Sequence, residues 1–214
     1  MPSELEKIKE LWKDCTKCGL CKEGRKQVVF SDGPETAKIM IVGEGPGEYE
    51  DQKGIPFTGP AGQLMNKILE SVKIAREDCY WTNTVRCRPY KNRTPTKEEM
   101  DICKPLLLDE IRLIKPRVII IVGRPAAQDL IGLKGAIGEV AGQWTMVQGI
   151  PAIVIYHPAA ILHTKDINPD LAQKYRMSIW NAMKSLREFL DDETKEPVPT
   201  VKNNLSFEEQ VELF

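Results

Sequence analysis

The chain has 214 residues, 42% of them apolar and 29% charged, which suits one soluble globular domain with a sizeable core. No apolar run approaches the ~20 residues of a membrane span, and the charged start "MPSELEKIKELWKDC" lacks the form of a secretory signal. The net charge of −1 hides an asymmetry: seven acids against Lys195 and Lys202 give residues 191–214 a charge of −5, leaving +4 for residues 1–190. A mildly basic body with an acidic tail permits a polyanionic partner without requiring one.

In chain order, a cysteine-rich segment, "CTKCGLCKEG" (15–24), precedes the first strand, "KIMIVGE" (38–44). A glycine-rich loop leads into a helical pattern over 60–73, a second strand at 79–85 ("CYWTNTV") and a basic loop over 86–95. Thr96 and Glu99 form a capping box for a helix over 96–113, with a kink expected at Pro105. "RVIIIVG" (117–123) and "AIVIYHP" (152–158) are nearly continuous Ile and Val, as in strands buried on both faces of a parallel sheet. A helix over 124–131 follows the third strand, and an amphipathic helix over about 170–190 follows the fourth. The alternation predicts an α/β sandwich with a mainly parallel sheet. From "DDETKEPVPT" onward the periodicity gives way to charge and proline, so 191–206 reads as a flexible linker.

In open α/β sheets, ligands bind at the carboxyl ends of the strands. Those ends carry Gly43-Glu44-Gly45-Pro46-Gly47, then Asn83, then Gly123-Arg124-Pro125, then His157-Pro158. Each residue alone is well explained by turn chemistry, but their joint placement on one rim favours a site. The loop "GEGPGEYEDQKGIPFTGPAG" (43–62) matches neither a Walker loop nor G-x-G-x-x-G. Its acids, Glu44, Glu48, Glu50 and Asp51, would repel nucleotide phosphates. A carboxylate set beside "IPF" and a helix start better suits a neutral ring that is stacked and hydrogen-bonded. Glu48 and Asp51 read as a solvated acidic turn, whereas Phe57 needs a core or a ligand to cover it. In "RCRPYKNRTP" (86–95), Arg86, Arg88, Lys91 and Arg93 surround Tyr90, a pattern that fits a nucleic-acid backbone.

In a reducing cytoplasm, six cysteines suggest metal ligands or free thiols more than disulfides. A ferredoxin-type run would place a fourth Cys three residues beyond Cys21, and Lys22-Glu23-Gly24-Arg25 excludes it. Cys87 and Cys103 can complete a four-cysteine site with Cys15 and Cys18. The spacing permits zinc or a [4Fe-4S] cluster equally well.

Taken together, "CTKC", "GEGPGEYED…GIPFTGPAG", "TNTVRCRP…NRTPT", "DIC", "KPRVIIIVG" and "YHPAAIL" resemble the family-4 uracil-DNA glycosylases, the iron-sulfur branch of their superfamily, from Cys15 to about Phe189. The resemblance implies a three-layer α/β sandwich whose central four-stranded parallel sheet is flanked by helices. It implies a glycosylase domain over 1–190, an acidic tail over 191–214, and a [4Fe-4S] cluster on Cys15, Cys18, Cys87 and Cys103. In the implied uracil pocket, Phe57 stacks on the flipped base and Asn83 reads its edge. Glu50 stands against C5, where thymine's methyl would collide, and His157 donates to O2. The main chain around Glu44 and Gly45 completes the pocket. Gly45 takes the place of the Asp that handles the attacking water in the best-known uracil-DNA glycosylases, which leaves Glu44 as the candidate. A related branch forms a lasting adduct through a histidine in the loop after the second strand; "RPYKNRTP" has none. Leu162 is the implied wedge into the duplex, and His163 reads as a surface or DNA-facing residue.

The implied partner is uracil-containing DNA, single- or double-stranded, handled by a cytoplasmic, nucleoid-associated monomer. Excision of other deaminated bases is an alternative within the superfamily. The contrasting class is a non-catalytic iron-sulfur module for redox or nucleic-acid binding, which leaves Phe57, Asn83 and His157 without a task. The ending "QVELF" resembles a shortened sliding-clamp motif, although a nonspecific end explains it better. Cys21 reads as a bystander and Cys79 as core.

Overall fold

A computed structural model describes residues 2–192, 194 and 197–205. The sheet has the order β2-β1-β3-β5-β4, built from β1 (Ile39–Gly43), β2 (Cys79–Asn83), β3 (Val118–Val122), β4 (Trp144–Val147) and β5 (Ile150–Ile155). β1, β2, β3 and β5 are parallel, matching the four strands expected, and β4 is an additional antiparallel edge strand. The count of four is therefore corrected to five. The fifth strand arises from a two-residue hairpin at Gln148-Gly149, whose φ values of 48° and 77° suit the turn that matches strand twist.

Alternate side chains of each strand face opposite layers, so the sheet has two cores. Ile41, Trp81, Ile120 and Ile153 meet α3 (Pro60–Glu70) and α7 (Pro169–Asp191) through Met65, Leu69, Met183 and Leu186. Met40, Tyr80, Ile119 and Val154 meet α4 (Lys97–Ile114) and α5 (Arg124–Ile131) through Leu107, Ile111, Ala127 and Leu130. These two faces make the expected three layers. α4 is a single helix, capped by Thr96 and Glu99 and running through Pro105 without a break.

Three further helices were not anticipated from periodicity: α1 (Glu4–Trp12), started by a Ser3–Glu6 capping box, α2 (Glu48–Lys53), and a short helix after the last strand. The last helix before α7 is α6 (Pro158–Thr164), which begins at His157. Among the described residues no helix is long and apolar enough to cross a membrane.

The linker reading fails over 200–204. Thr200 and Val201 N–H donate to Trp144 O (2.9 and 3.1 Å), and Asn204 N–H donates to Ile131 O (3.0 Å). The Asn203 amide donates to Met146 O (3.0 Å), so this segment satisfies polar groups along the edge strand that water would otherwise have to satisfy. The "QVELF" ending lies outside the described residues.

Candidate active site at the carboxyl ends of the strands

The chain crosses back over β1 between β2 and β3, which puts the switch point of the sheet at the ends of β1 and β3. A cavity of about 580 Å³ opens there, lined among others by Glu44, Gly45, Glu50, Phe57, Asn83, His157 and Leu162. The structure thus brings the expected base-pocket residues into one cavity.

Its floor depends on a missing side chain. Gly43 pairs in register with Asn83, and a Cβ on Gly43 would lie 2.5 Å from Asn83 Oδ1 and 2.6 Å from Phe57 Cζ. Only glycine lets the amide and the ring close over the end of β1. Phe57 adopts φ +56°, a left-handed conformation that costs a non-glycine residue about 1–2 kcal/mol. Its ring packs 5.1 Å from that of the buried Trp81, tilted by 56°.

Glu50 is nearly buried, and its carboxylate accepts from Gly47 N–H (3.1 Å) and Gly59 N–H (2.7 Å). It therefore clamps the loop after β1 to the start of α3 while lining the cavity. Asp51 departs from the solvated turn expected of it: it is 2% exposed and accepts from Lys26 N–H at 2.9 Å. Glu48 remains on the surface, 3.5 Å from Arg88. The position of Gly45 is closed to an Asp as packed, because a Cβ there would come within 2.7 Å of Val85 Cγ2. Burial pushes the Glu44 carboxyl above its ordinary range, opposed by a hydrogen bond from Thr94.

His157 precedes α6 and its Nδ1 accepts from Ala159 N–H at 3.2 Å. In the neutral ring this bond puts the proton on Nε2. Desolvation, with a contribution from His163, holds its pKa down at about 4. Leu162 and the exposed His163 lie on the cavity lip of α6.

The basic loop differs from its sequence reading. Arg86 is only 1% exposed, so it is removed from the DNA-facing set; its Nη2 meets Glu110 Oε2 at 2.6 Å. The reason is positional: Arg86 continues from β2 over the face that α4 covers, where Glu110 and Thr82 await it. Arg93 pairs with Glu23 and Glu99 at 2.6 Å each, and Arg88 Nε donates to Asn92 Oδ1 at 2.7 Å. Lys91 lies 5.3 Å from the exposed Tyr90 ring. Two further residues could not be singled out in the sequence. Thr94 is a loop residue until folding puts it beside Glu44, and Arg76 carries no linear signal for its contacts around Phe57.

Below this loop, Cys87, Cys103 and Cys18 share a small core with Leu20, Val85 and Met100. Burial pushes the Cys87 thiol up to about 12 and raises those of Cys18 and Cys103; Cys103 also senses Cys15. Arg25 bridges the two halves, donating to Cys87 Sγ and to Cys15 O at 2.6 Å each. Cysteine side chains gathered in one small core with a cationic donor beside them have the chemistry of a group that needs thiolates. Among the described residues, no three His, Cys, Asp or Glu side chains stand in an arrangement that would hold a metal ion. Cys21 donates its S–H to Cys18 O at 3.1 Å, and Cys79 is buried within β2.

Comparison with known proteins places the chain in a family. The family model described as the uracil DNA glycosylase superfamily matches residues 30–184. A type-4 uracil-DNA glycosylase of Pyrobaculum aerophilum is 42% identical over 167 residues, covering 74% of this chain and 85% of that protein. Those of Archaeoglobus fulgidus and Thermotoga maritima are each 41% identical, covering 75% of this chain and 82% and 84% of theirs. A cavity floored by Gly43, Phe57 and Asn83, with a neutral histidine across it, therefore sits in a chain that belongs to the uracil-DNA glycosylase superfamily.

Proposed function

We propose that the protein is a DNA-repair glycosylase that takes uracil out of the base stack and hydrolyses its N-glycosidic bond, releasing free uracil and leaving an abasic site. The observation that carries this reading is the closure of Phe57 and Asn83 over Gly43 at one end of a cavity that His157 also lines. Phe57 stacks on the base, and the Asn83 amide accepts from N3 and donates to O4. Glu50, fixed by two main-chain donors, stands where a C5 methyl would enter and so refuses thymine. As the bond to C1′ lengthens, charge builds on the leaving uracil, and the Nε2 proton of His157 stabilises it at O2. Glu44 is the carboxylate that orients the attacking water, and Thr94 keeps it in place.

Outside the pocket, Leu162 wedges into the duplex, and Arg88, Lys91 and Arg93 line the DNA path, each except Lys91 braced by other side chains. The glycosylase domain takes in α7, and the acidic tail that follows is held along the sheet edge at residues 200–204. The protein acts as a monomer in the cytoplasm, near the nucleoid.

Asn83→Ala is expected to lower uracil release by about 10²–10³-fold, because a buried amide that reads two polar edges leaves both unpaired when removed. Release from a uracil-containing oligonucleotide, single- and double-stranded, measures it. Wild-type enzyme that releases no uracil from either would refute the reading.

Cys15, Cys18, Cys87 and Cys103 would hold a [4Fe-4S] cluster, which would supply a structural cross-link, since hydrolysis of the glycosidic bond needs no redox step. The cross-link would tie the segment bearing Glu23 to the loop that carries Arg93. Cys18→Ser is expected to abolish the visible iron-sulfur absorption, and Cys21→Ser to keep it. The opposite pattern would overturn the ligand assignment.

A further inference from the structure

We infer that Arg76 is a positioning residue for the uracil platform, holding the Phe57 ring in its left-handed turn; this rests on reading Phe57 as that platform. Arg76 lies 19 residues further along the chain, in the short turn before β2. Its Nη2 donates to Pro56 O at 2.8 Å and its Nη1 to Phe57 O at 3.3 Å. These are the carbonyls of the two peptide groups on either side of the Phe57 Cα. Fixing both peptide planes fixes φ and ψ of Phe57, and with them where the ring can lie. The same guanidinium reaches Asp32 Oδ2 (3.1 Å) and Asn66 Oδ1 (3.3 Å), so its own orientation is set from two further directions.

The contact extends to the ring's other neighbour. The Arg76 guanidinium carbon lies 4.5 Å from the centre of the Trp81 ring, and Trp81 returns its indole N–H to Arg76 O at 3.0 Å. Trp81 in turn is the aromatic against which Phe57 packs. One planar fork therefore governs both the main chain that carries Phe57 and the surface behind it. Phenylalanine does not choose a positive φ by itself, so the turn persists only because its surroundings over-determine it. Lysine carries its three donors on one nitrogen and lacks the planar fork, so it cannot reproduce the Arg76 grip on both carbonyls while stacking on Trp81.

The test compares wild type, Arg76→Lys, Phe57→Ala and the double variant. Each is measured for inhibition by free uracil, uracil release from single-stranded DNA, affinity for abasic-site DNA, and melting temperature. Arg76→Lys is expected to raise the inhibition constant for uracil by about tenfold, the size of one lost contact, with abasic-site DNA bound as in wild type. In the Phe57→Ala background the same change should add less than about twofold, because the residue it acts through has gone. An inhibition constant within twofold of wild type, with only the melting temperature lowered, would make Arg76 a structural anchor and overturn the inference. A full tenfold effect repeated in the Phe57→Ala background would also overturn it. Phe57→Ala that changes neither inhibition nor release would instead refute the platform reading itself. If Arg76→Lys does not fold, Arg76→Gln is read by the same criteria.

Discussion

Replacing His157 with alanine is expected to slow uracil release by about 10²–10³-fold while leaving affinity for uracil-free DNA nearly unchanged, the usual cost of losing one donor aimed at developing charge. The tautomer explains the expectation. With Nδ1 accepting from Ala159 N–H, the neutral ring has its proton on Nε2 to offer. A pKa near 4 keeps the ring neutral across ordinary working pH, so this group should leave the rate flat down to about pH 5. The same shift has a sign for stability. A histidine whose folded pKa of about 4 lies below the ordinary 6.5 contributes fully above pH 6.5, and the contribution is lost as pH falls through 6.5 toward 4. At roughly 1.4 kcal/mol per pKa unit, up to about 3 kcal/mol is at stake. Urea unfolding at pH 7 and pH 4.5 should show wild type losing more stability on acidification than His157→Gln. Equal losses would show that burial does not hold the imidazole neutral.

Glu110→Ala is expected to cost about 3–5 kcal/mol, because it strands the Arg86 guanidinium in the interior. The pair is fully buried, with Thr82 Oγ1 donating to the same Glu110 oxygen at 2.7 Å. Among the described residues Arg86 Nε and Glu110 Oε1 find no partner, so the pair is not an efficient stabiliser and depends on both members being present. Replacing both, as Arg86→Met with Glu110→Leu, should recover most of the loss. Thermal unfolding of the two variants separates the cases, and a double variant as unstable as the single one would show that packing, not stranded charge, sets the cost. The pair also matters for the site. Arg86 stands between Asn83 and Cys87, and Glu110 lies two turns along α4 from Cys103, so the bond ties the cavity that Asn83 lines to the cysteine core.

Legibility in the sequence followed the range of the physics involved. The four parallel strands were readable because burial on both faces demands continuous apolar residues, as in "VIIIV" of β3. β4 was missed because its four residues are short, and only the Gln148-Gly149 turn marks the hairpin. Glu44, Asn83 and His157 stood out because they occur at strand ends, where an open α/β sheet binds ligands, whereas the roles of Glu50 and Phe57 came from the resemblance. The basic loop misled for the complementary reason: linear spacing says that Arg86, Arg88 and Arg93 are cationic, but not which acids they meet. Glu23, Glu99 and Glu110 come from two other segments, and only folding brings them to the loop.

By itself, the sequence determined the α/β alternation and the strand-end rim where the cavity lies, and it pointed to cysteines from distant segments that share one small core. Periodicity and strand-end position are local properties, and they are written into neighbouring residues. Only the tertiary structure decided that Arg86 is an interior brace, that Asp51 holds Lys26, that the 200–204 segment closes the sheet edge, and that Arg76 grips the turn of Phe57. Each of those is a long-range pairing of polar groups. Such pairings are chosen by which desolvated partners the fold brings within hydrogen-bond reach, and no spacing along the chain records that choice.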